Sequence, residues 1–247
     1  MFPIRDHNPS GRTPYVTYLL MIANIVIFFS YMGMMRDPTS INWVWFNYAI
    51  IPARLSDGSG YHTLITSMFL HGSFMHLAGN MLFLWIFGDN VEDALGHRNF
   101  FGFYLLTGVT AALAQYVFEP YSSVPTVGAS GAIAGVMGGY LLLFPKAKVD
   151  ILIIIIVFFR ILPIPAWIIL AVWFAMQFFG GLFVDTQSGG VAYWAHAGGF
   201  IAGILLTIPL WRKLGGRRFW ERTEGHPPHP EARYRFSSSR IPKVNRR

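Results

Sequence analysis

The chain has 247 residues, of which 53% are hydrophobic and only 13% charged; soluble globular chains carry about 25% charged residues, so a soluble domain is excluded. It has no cysteine, which excludes disulfides, thiolate catalysis and Cys-ligated metals. The net charge of +7 does not mark a nucleic-acid binder, because eleven of the nineteen Lys and Arg lie between Arg212 and Arg247, beyond the last apolar run, where a basic tail acts as a topology signal.

The apolar residues fall in runs of about 20, the length at which a helix crosses about 30 Å of hydrocarbon. The alternating segments of about ten residues expected of a membrane barrel are absent from the pattern. The predicted fold class is therefore an all-α polytopic membrane protein. Met1–Thr13 is a short polar N-terminal segment without a small-residue cleavage site, so the first span, Pro14–Met34, is read as retained. Met35–Leu70 is a long loop rich in aromatics, predicted to hold short amphipathic pieces in the interface. The second span is His71–Leu95, followed by a turn at Gly96–Arg98 and a third span, Asn99–Phe118. Glu119–Thr126 reads as a loop, and the fourth span is Val127–Phe144, short for a full crossing and ended by Pro145. Ile151–Phe159 is strongly apolar and β-branched but too short to span as a helix, so it is read as a buried connector or interfacial segment. The fifth span is Pro165–Phe183, Val184–Gly190 is a polar loop, and the sixth span is Val191–Trp211. The domain of interest is thus 14–211. The segment 212–247, with its Pro-rich and Ser-rich stretches, is expected to be a disordered basic tail.

Six spans put both termini on one side. That side carries Arg5, Arg12, Arg98, Lys146, Lys148 and the tail charges, and the other has only Arg36 and Arg54 if Arg160 is set aside. The positive-inside rule therefore predicts cytoplasmic termini. Parity then makes spans two, four and six run from outside to inside. His71, His76 and Asn80 open span two, Ser130 lies at the start of span four, and His196 lies near the start of span six. The polar residues embedded in these three spans thus fall at one depth, and such residues are functional suspects because they are costly in hydrocarbon.

Helical spacing brings them closer together. His196 shares a face with Gly199 and Gly203, while Ser130, Ala134 and Gly138 step by four beside Gly131, Gly135 and Gly139. Glycine weakens a helix interior by about 1 kcal/mol relative to Ala, and close backbone approach is what offsets that cost. Packing these faces together would let Ser130 reach His196. A serine hydroxyl needs such a base, and acyl transfer needs donors for the oxyanion. The Ser130 N–H, near a helix start, with His76 and Asn80, can provide them. Asp89, Glu92 and Asp93 lie at the wrong end of span two to complete a triad, so a Ser-His dyad is expected. Glu92 is read as settling the inner end of its span. Taken alone, Ser130 reads more readily as a packing residue bonded to a carbonyl than as a nucleophile, and His196 reads equally as interhelical glue. The spacing of His71 and His76 is poor for a shared metal ion, so no metal is expected there.

At these residues the chain resembles the rhomboid family of intramembrane serine proteases. The resemblance rests on His71–Gly72–Ser73–Phe74–Met75–His76–Leu77–Ala78–Gly79–Asn80, on Gly128–Ala129–Ser130–Gly131, and on Ala195–His196–Ala197–Gly198–Gly199–Phe200–Ile201–Ala202–Gly203. It implies a six-transmembrane-helix rhomboid-like bundle and a serine endopeptidase, with Ser130 as nucleophile and His196 as base. It also implies an oxyanion site at His76, Asn80 and the Ser130 amide, and a structural role for His71. Gly128, Gly131, Gly135, Gly199 and Gly203 are the expected close-packing glycines. The implied partners are membrane-spanning protein substrates and the lipid bilayer. The implied location is the plasma (inner) membrane, with the site opening toward the outer face. Phe178 and Phe179, at the outer end of span five, and the first loop are candidate substrate routes. The chain departs twice from patterns common in the family: His62–Thr63 stands where many members have Trp-Arg, and Ala134 where some have an aromatic beside the base. The competing reading is a non-catalytic rhomboid-like membrane chaperone or substrate-binding scaffold. A transporter is disfavoured because the embedded polar residues gather near one surface rather than at the midplane.

Overall fold

A computed structural model describes residues 2–155, 158–184 and 189–232 of the chain. The elements are, in order, strand β1 (Phe2–Asp6), helix α1 (Tyr15–Tyr31) and the loop helices α2 (Pro38–Tyr48), α3 (Pro52–Ser56) and α4 (Thr63–Thr66). Helices α5 (Phe74–Leu95), α6 (His97–Phe118) and α7 (Ser130–Leu143) follow. Then come strands β2 (Lys148–Ile155) and β3 (Phe158–Pro165), and helices α8 (Ala166–Phe183), α9 (Tyr193–Lys213) and α10 (Arg217–Thr223).

Helix α7 is the axis of the bundle. Eleven of its fourteen residues are buried, because α5, α6, α8 and α9 all pack on it. The outer helices show the reverse distribution. On α1, Thr17, Leu20, Asn24, Phe28 and Tyr31 face inward at intervals of three and four, while Leu19, Ile22, Val26 and Phe29 stand exposed. On α8, Trp167, Val172, Met176 and Phe179 are exposed in the same way. An apolar stripe turned outward is unfavourable in water and suits a hydrocarbon environment.

Among the described residues, four stretches are long and apolar enough to cross a membrane: Tyr15–Arg36, His97–Phe118, Ala166–Phe183 and Tyr193–Lys213. The other two expected spans differ for identifiable reasons. Helix α5 has Asp89, Glu92 and Asp93 in its last two turns, and α7 begins only at Ser130. Gly128 takes φ +132°, a left-handed value incompatible with right-handed helix, so Val127–Ala129 stays outside the helix.

The all-α expectation is corrected by a three-stranded antiparallel sheet in the order β1–β2–β3. The segment read as a connector is a hairpin, in which Lys148–Ile155 pairs in register with Phe158–Pro165. Its β-branched run favours strand, and Pro163 and Pro165 are tolerated because β3 is an edge. The N-terminal segment supplies the opposite edge, pairing Phe2 with Leu152 and Asp6 with Val149.

The expected disordered tail is likewise structured over part of its length. Phe219 of α10 is buried, the Trp220 indole donates to the Leu142 carbonyl (3.0 Å), and Lys146 N donates to the Gly225 carbonyl (2.8 Å). Farther on, Ala232 N donates to the His7 carbonyl. The expectation for 233–247 lies outside the described residues, as does most of the polar loop predicted before span six.

Candidate active site

Two loops hold Ser130 in place. Ile50 and Thr126 exchange backbone hydrogen bonds (3.0 and 2.7 Å), Ala53 N donates to the Ser122 carbonyl, and Gly128 N donates to the Ser67 carbonyl (3.0 Å). The first loop thus grips the segment entering α7 at three points. That loop is itself fixed through the last carbonyls of α2, which a helix end leaves without partners. The Arg54 guanidinium donates to the Phe46 carbonyl, the His62 ring contacts the Asn47 carbonyl (2.8 Å), and Thr66 Oγ1 donates to the Tyr48 carbonyl (2.8 Å). His62, one of the residues departing from the family pattern, therefore serves the loop's own architecture.

Ser130 is the first residue of α7, and its Oγ lies 2.7 Å from His196 Nε2. A Cβ built on Gly128 would meet His76 Nε2 at 2.8 Å and Ser130 Oγ at 3.4 Å, so only glycine leaves the space between these two groups open. Asn80 is buried one turn beyond His76 on α5, and its Nδ2 has no hydrogen-bond partner among the described residues. Ser130, His196, His76 and Asn80 all line one cleft of about 530 Å³, whose other walls include Met75, Phe83, Ile133 and Trp173. The first-turn N–H groups of a helix lack intrahelical partners, so the Ser130 amide is available in the same place. Taken together, the arrangement sets a hydroxyl against an imidazole nitrogen in the wall of a cleft that His76 and Asn80 also line.

His71 sits behind this group. It precedes α5, where Ser73 caps the helix by accepting from His76 N (3.1 Å). Its backbone is pinned by Tyr31 of α1, whose hydroxyl accepts from His71 N (2.6 Å) and donates to its carbonyl (2.9 Å). The fully buried His71 ring meets the His76 ring edge-on at 5.1 Å.

The glycines explain how Ser130 and His196 come so close. A Cβ on Gly199 would strike the Gly131 carbonyl oxygen, one on Gly203 the Gly135 carbonyl oxygen, and one on Gly138 the Phe200 carbonyl oxygen. Helices α7 and α9 therefore touch backbone to backbone. Gly131 and Gly135 serve a second neighbour as well, since their missing side chains would collide with Ala111 and Thr107 of α6. Gly128, expected among the helix-packing glycines, is instead a loop residue beside His76.

Two features of His196 were not anticipated from sequence. His196 Nδ1 lies 2.8 Å from Gln177 Oε1, and the Trp173 ring lies 5.7 Å from the imidazole at an interplanar angle of 32°. Both residues come from α8. The signal was present in the sequence: Gln177 is the sole hydrogen-bonding side chain, apart from tryptophan, in Ala166–Phe183. A second buried amide, Gln115 of α6, accepts from Ala195 N (3.2 Å) in the first turn of α9.

Glu92 belongs to the other end of the bundle. Its carboxylate accepts from Val16 N (2.9 Å), Thr17 N (2.7 Å) and Thr17 Oγ1 (2.7 Å), and contacts His97 Nδ1 (2.6 Å). It caps the start of α1 from a neighbouring helix, which is favourable at a helix N-terminus.

Residues 58–213 match the family model described as the Rhomboid domain. The chain is 35% identical over 149 residues to the mitochondrial rhomboid protein 1 of Saccharomyces cerevisiae, a match covering 58% of this chain and 40% of that protein. It is 35% identical over 128 residues to the rhomboid protease GluP of Bacillus subtilis, covering 52% of this chain and 24% of the relative. Against the rhomboid protease GlpG of Salmonella choleraesuis it is 32% identical over 127 residues, covering 51% and 43%. In each case the match spans less than half the length of the relative.

Proposed function

The chain belongs to the rhomboid family, and from that premise we propose that it is an intramembrane serine endopeptidase acting on membrane-spanning proteins. The observation that carries the proposal is the 2.7 Å approach of Ser130 Oγ to His196 Nε2 inside the cleft. Relatives named as proteases support it.

Ser130 donates its hydroxyl proton to His196 as its oxygen attacks the scissile carbonyl. The carbonyl oxygen gains negative charge and is met by the Ser130 N–H and by donors on His76 and Asn80. His196 then returns the proton to the departing amine, leaving an acyl group on Ser130. Water enters, His196 takes a proton from it as the water oxygen attacks the acyl carbon, and that proton passes to Ser130 Oγ as the ester bond breaks and the second product leaves. Substrate helices that are locally broken are favoured, because a carbonyl already bonded within a helix is shielded from attack. Residues 14–211 form the protease domain, with α1, α5, α6, α7, α8 and α9 as six spans. Both termini are cytoplasmic, and the Ser130 end faces the outer side of a plasma (inner) membrane. The spread of charge between the two sides supports that orientation.

The alternative of a non-catalytic scaffold is separated by a fluorophosphonate, which phosphonylates only an activated serine. Purified protein in liposomes is expected to be labelled at Ser130, and Ser130→Ala and His196→Ala to lose both labelling and cleavage of a single-span reporter. Full cleavage by Ser130→Ala protein would overturn the mechanism, and an unlabelled wild type would favour the scaffold.

A further inference from the structure

The geometry points to Gln177 as the residue that fixes the tautomer and orientation of His196, so that the working unit is Ser130–His196–Gln177, with an amide in the third place. The inference rests on the serine-protease reading above and adds a positioning residue to it.

The imidazole is held at both nitrogens, by Ser130 Oγ at 2.7 Å and by Gln177 Oε1 at 2.8 Å. Which end of the Gln177 amide faces the ring is settled by its other bond. Gln177 Nε2 donates to the Trp173 carbonyl (3.3 Å), one turn back on α8. Turning the amide over would set two carbonyl oxygens against each other there, and neither can donate. The oxygen therefore faces His196. An amide oxygen only accepts, so Nδ1 must carry the hydrogen, which leaves the Nε2 lone pair directed at the Ser130 hydroxyl.

The ring plane is fixed by the same helix face. Trp173 and Gln177 are i and i+4 on α8, and Trp173 is itself braced by Phe200 of α9 at 6.0 Å. From α7 there is no comparable support, since one turn beyond Ser130 stands the buried methyl of Ala134. Gln177 is 8% exposed within an otherwise apolar helix. A buried amide is costly unless it is bonded, and here its oxygen is bonded to the base. A glutamine serving helix packing alone would be indifferent to the protonation of His196. One that holds the base acts on it directly: the amide dipole accepts from the imidazolium as it forms, and a carboxylate in its place would stabilise that cation more strongly.

The test uses the rate of Ser130 labelling by a fluorophosphonate between pH 5 and 9, on the full chain in liposomes, for wild type, Gln177→Leu and Gln177→Glu. The Leu variant is expected to label about 10- to 100-fold more slowly at neutral pH, a loss typical of a removed supporting partner. The Glu variant is expected to recover most of that rate, with the acidic limb of its profile displaced to higher pH. Gln177→Leu protein with wild-type rates would overturn the assignment. So would a Glu variant whose limb stays at the wild-type pH, and that arm decides the matter alone if the Leu variant does not fold. Failure of the wild type to label at Ser130 is a separate result, which overturns the protease reading itself.

Discussion

The two ends of the bundle use polar residues in opposite ways. At the Ser130 end the embedded groups are hydroxyl, imidazole and amide side chains, namely Ser130, His196, His76, Asn80 and Gln177, and four of them border an open cleft. At the other end carboxylates predominate, and each is closed off by donors from the protein. Glu92 has four partners, Asp93 accepts from Gly11 N and Arg12, and Asp150 is held by Arg5 (2.7 Å) and His7 (2.8 Å). Lack of a partner does not by itself distinguish the ends, because Asn8 Nδ2 and Asn90 Oδ1 are also buried without one among the described residues. The difference is access. Asn80 is among the residues lining the cleft, whereas the carboxylate bonds tie one protein segment to another. Saturated networks hold a fold together, and polar capacity left open on a cavity is available for chemistry.

If that division holds, substitutions at the two ends should fail in different ways. The largest effect is expected at Ser130 and His196, where replacement by Ala should lower cleavage by about 1,000-fold or more while leaving thermal unfolding of the purified protein nearly unchanged. A large loss of stability in either variant would show that the cleft end is structural after all. Next in size is Glu92→Ala, which strips several buried donors of their acceptor. The expected cost is about 3 kcal/mol of stability, read by denaturant unfolding in micelles, with the activity of the molecules that remain folded little changed.

Gly203→Val should break the division, because it couples the two kinds of failure. Its side chain would strike the Gly135 carbonyl and push α9 from α7. Overpacking of this kind typically costs about 1–3 kcal/mol. Here it should also part His196 from Ser130 and slow Ser130 labelling. Unchanged labelling would mean that the two helices can separate at Gly203 without moving the reacting pair.

How much of this was legible in the sequence follows from which interactions are local. The convergence of Ser130, His196, His76 and Asn80 on one cleft could be read from helical period and from their places near the starts of their segments. The close approach of α7 and α9 was foreshadowed by glycines that a lone helix would not tolerate well. Gln177 went unrecognised because its partner lies 19 residues away on another helix, and one amide in an apolar span has no periodic pattern to announce it. The sheet was missed for a related reason. Ile151–Phe159 lacks the polar alternation of a half-exposed strand, and its pairing with the N-terminal segment joins residues nearly 150 positions apart. Segments whose form is set by distant partners are read least well from local pattern.

The most local effect expected concerns the pH dependence of that sheet, and it tests whether the carboxylate on β1 acts as a fixed anchor. Asp6 accepts from the Tyr140 hydroxyl (2.7 Å), so the β1 edge is tied to the end of α7. Burial there, with Asp89 nearby, pushes the Asp6 carboxyl up to about 8 despite the Tyr140 bond. A carboxyl whose folded value exceeds its unfolded one binds its proton more tightly in the folded state. The resulting stabilisation is complete below about pH 4, declines as pH rises, and is gone above about pH 8. The N-terminal strand should accordingly be held less firmly at pH 8.5 than at pH 5, measured by hydrogen exchange at the β1–β2 amides. Asp6→Asn retains an oxygen for the Tyr140 hydroxyl and removes the charge. It should match the wild type near pH 4, exceed it in protection at pH 8.5, and flatten the slope between. Parallel profiles for the two proteins would show that the Asp6 charge does not govern how firmly β1 is held, whereas a flattened one would tie the pH dependence of β1 to the Asp6–Tyr140 contact.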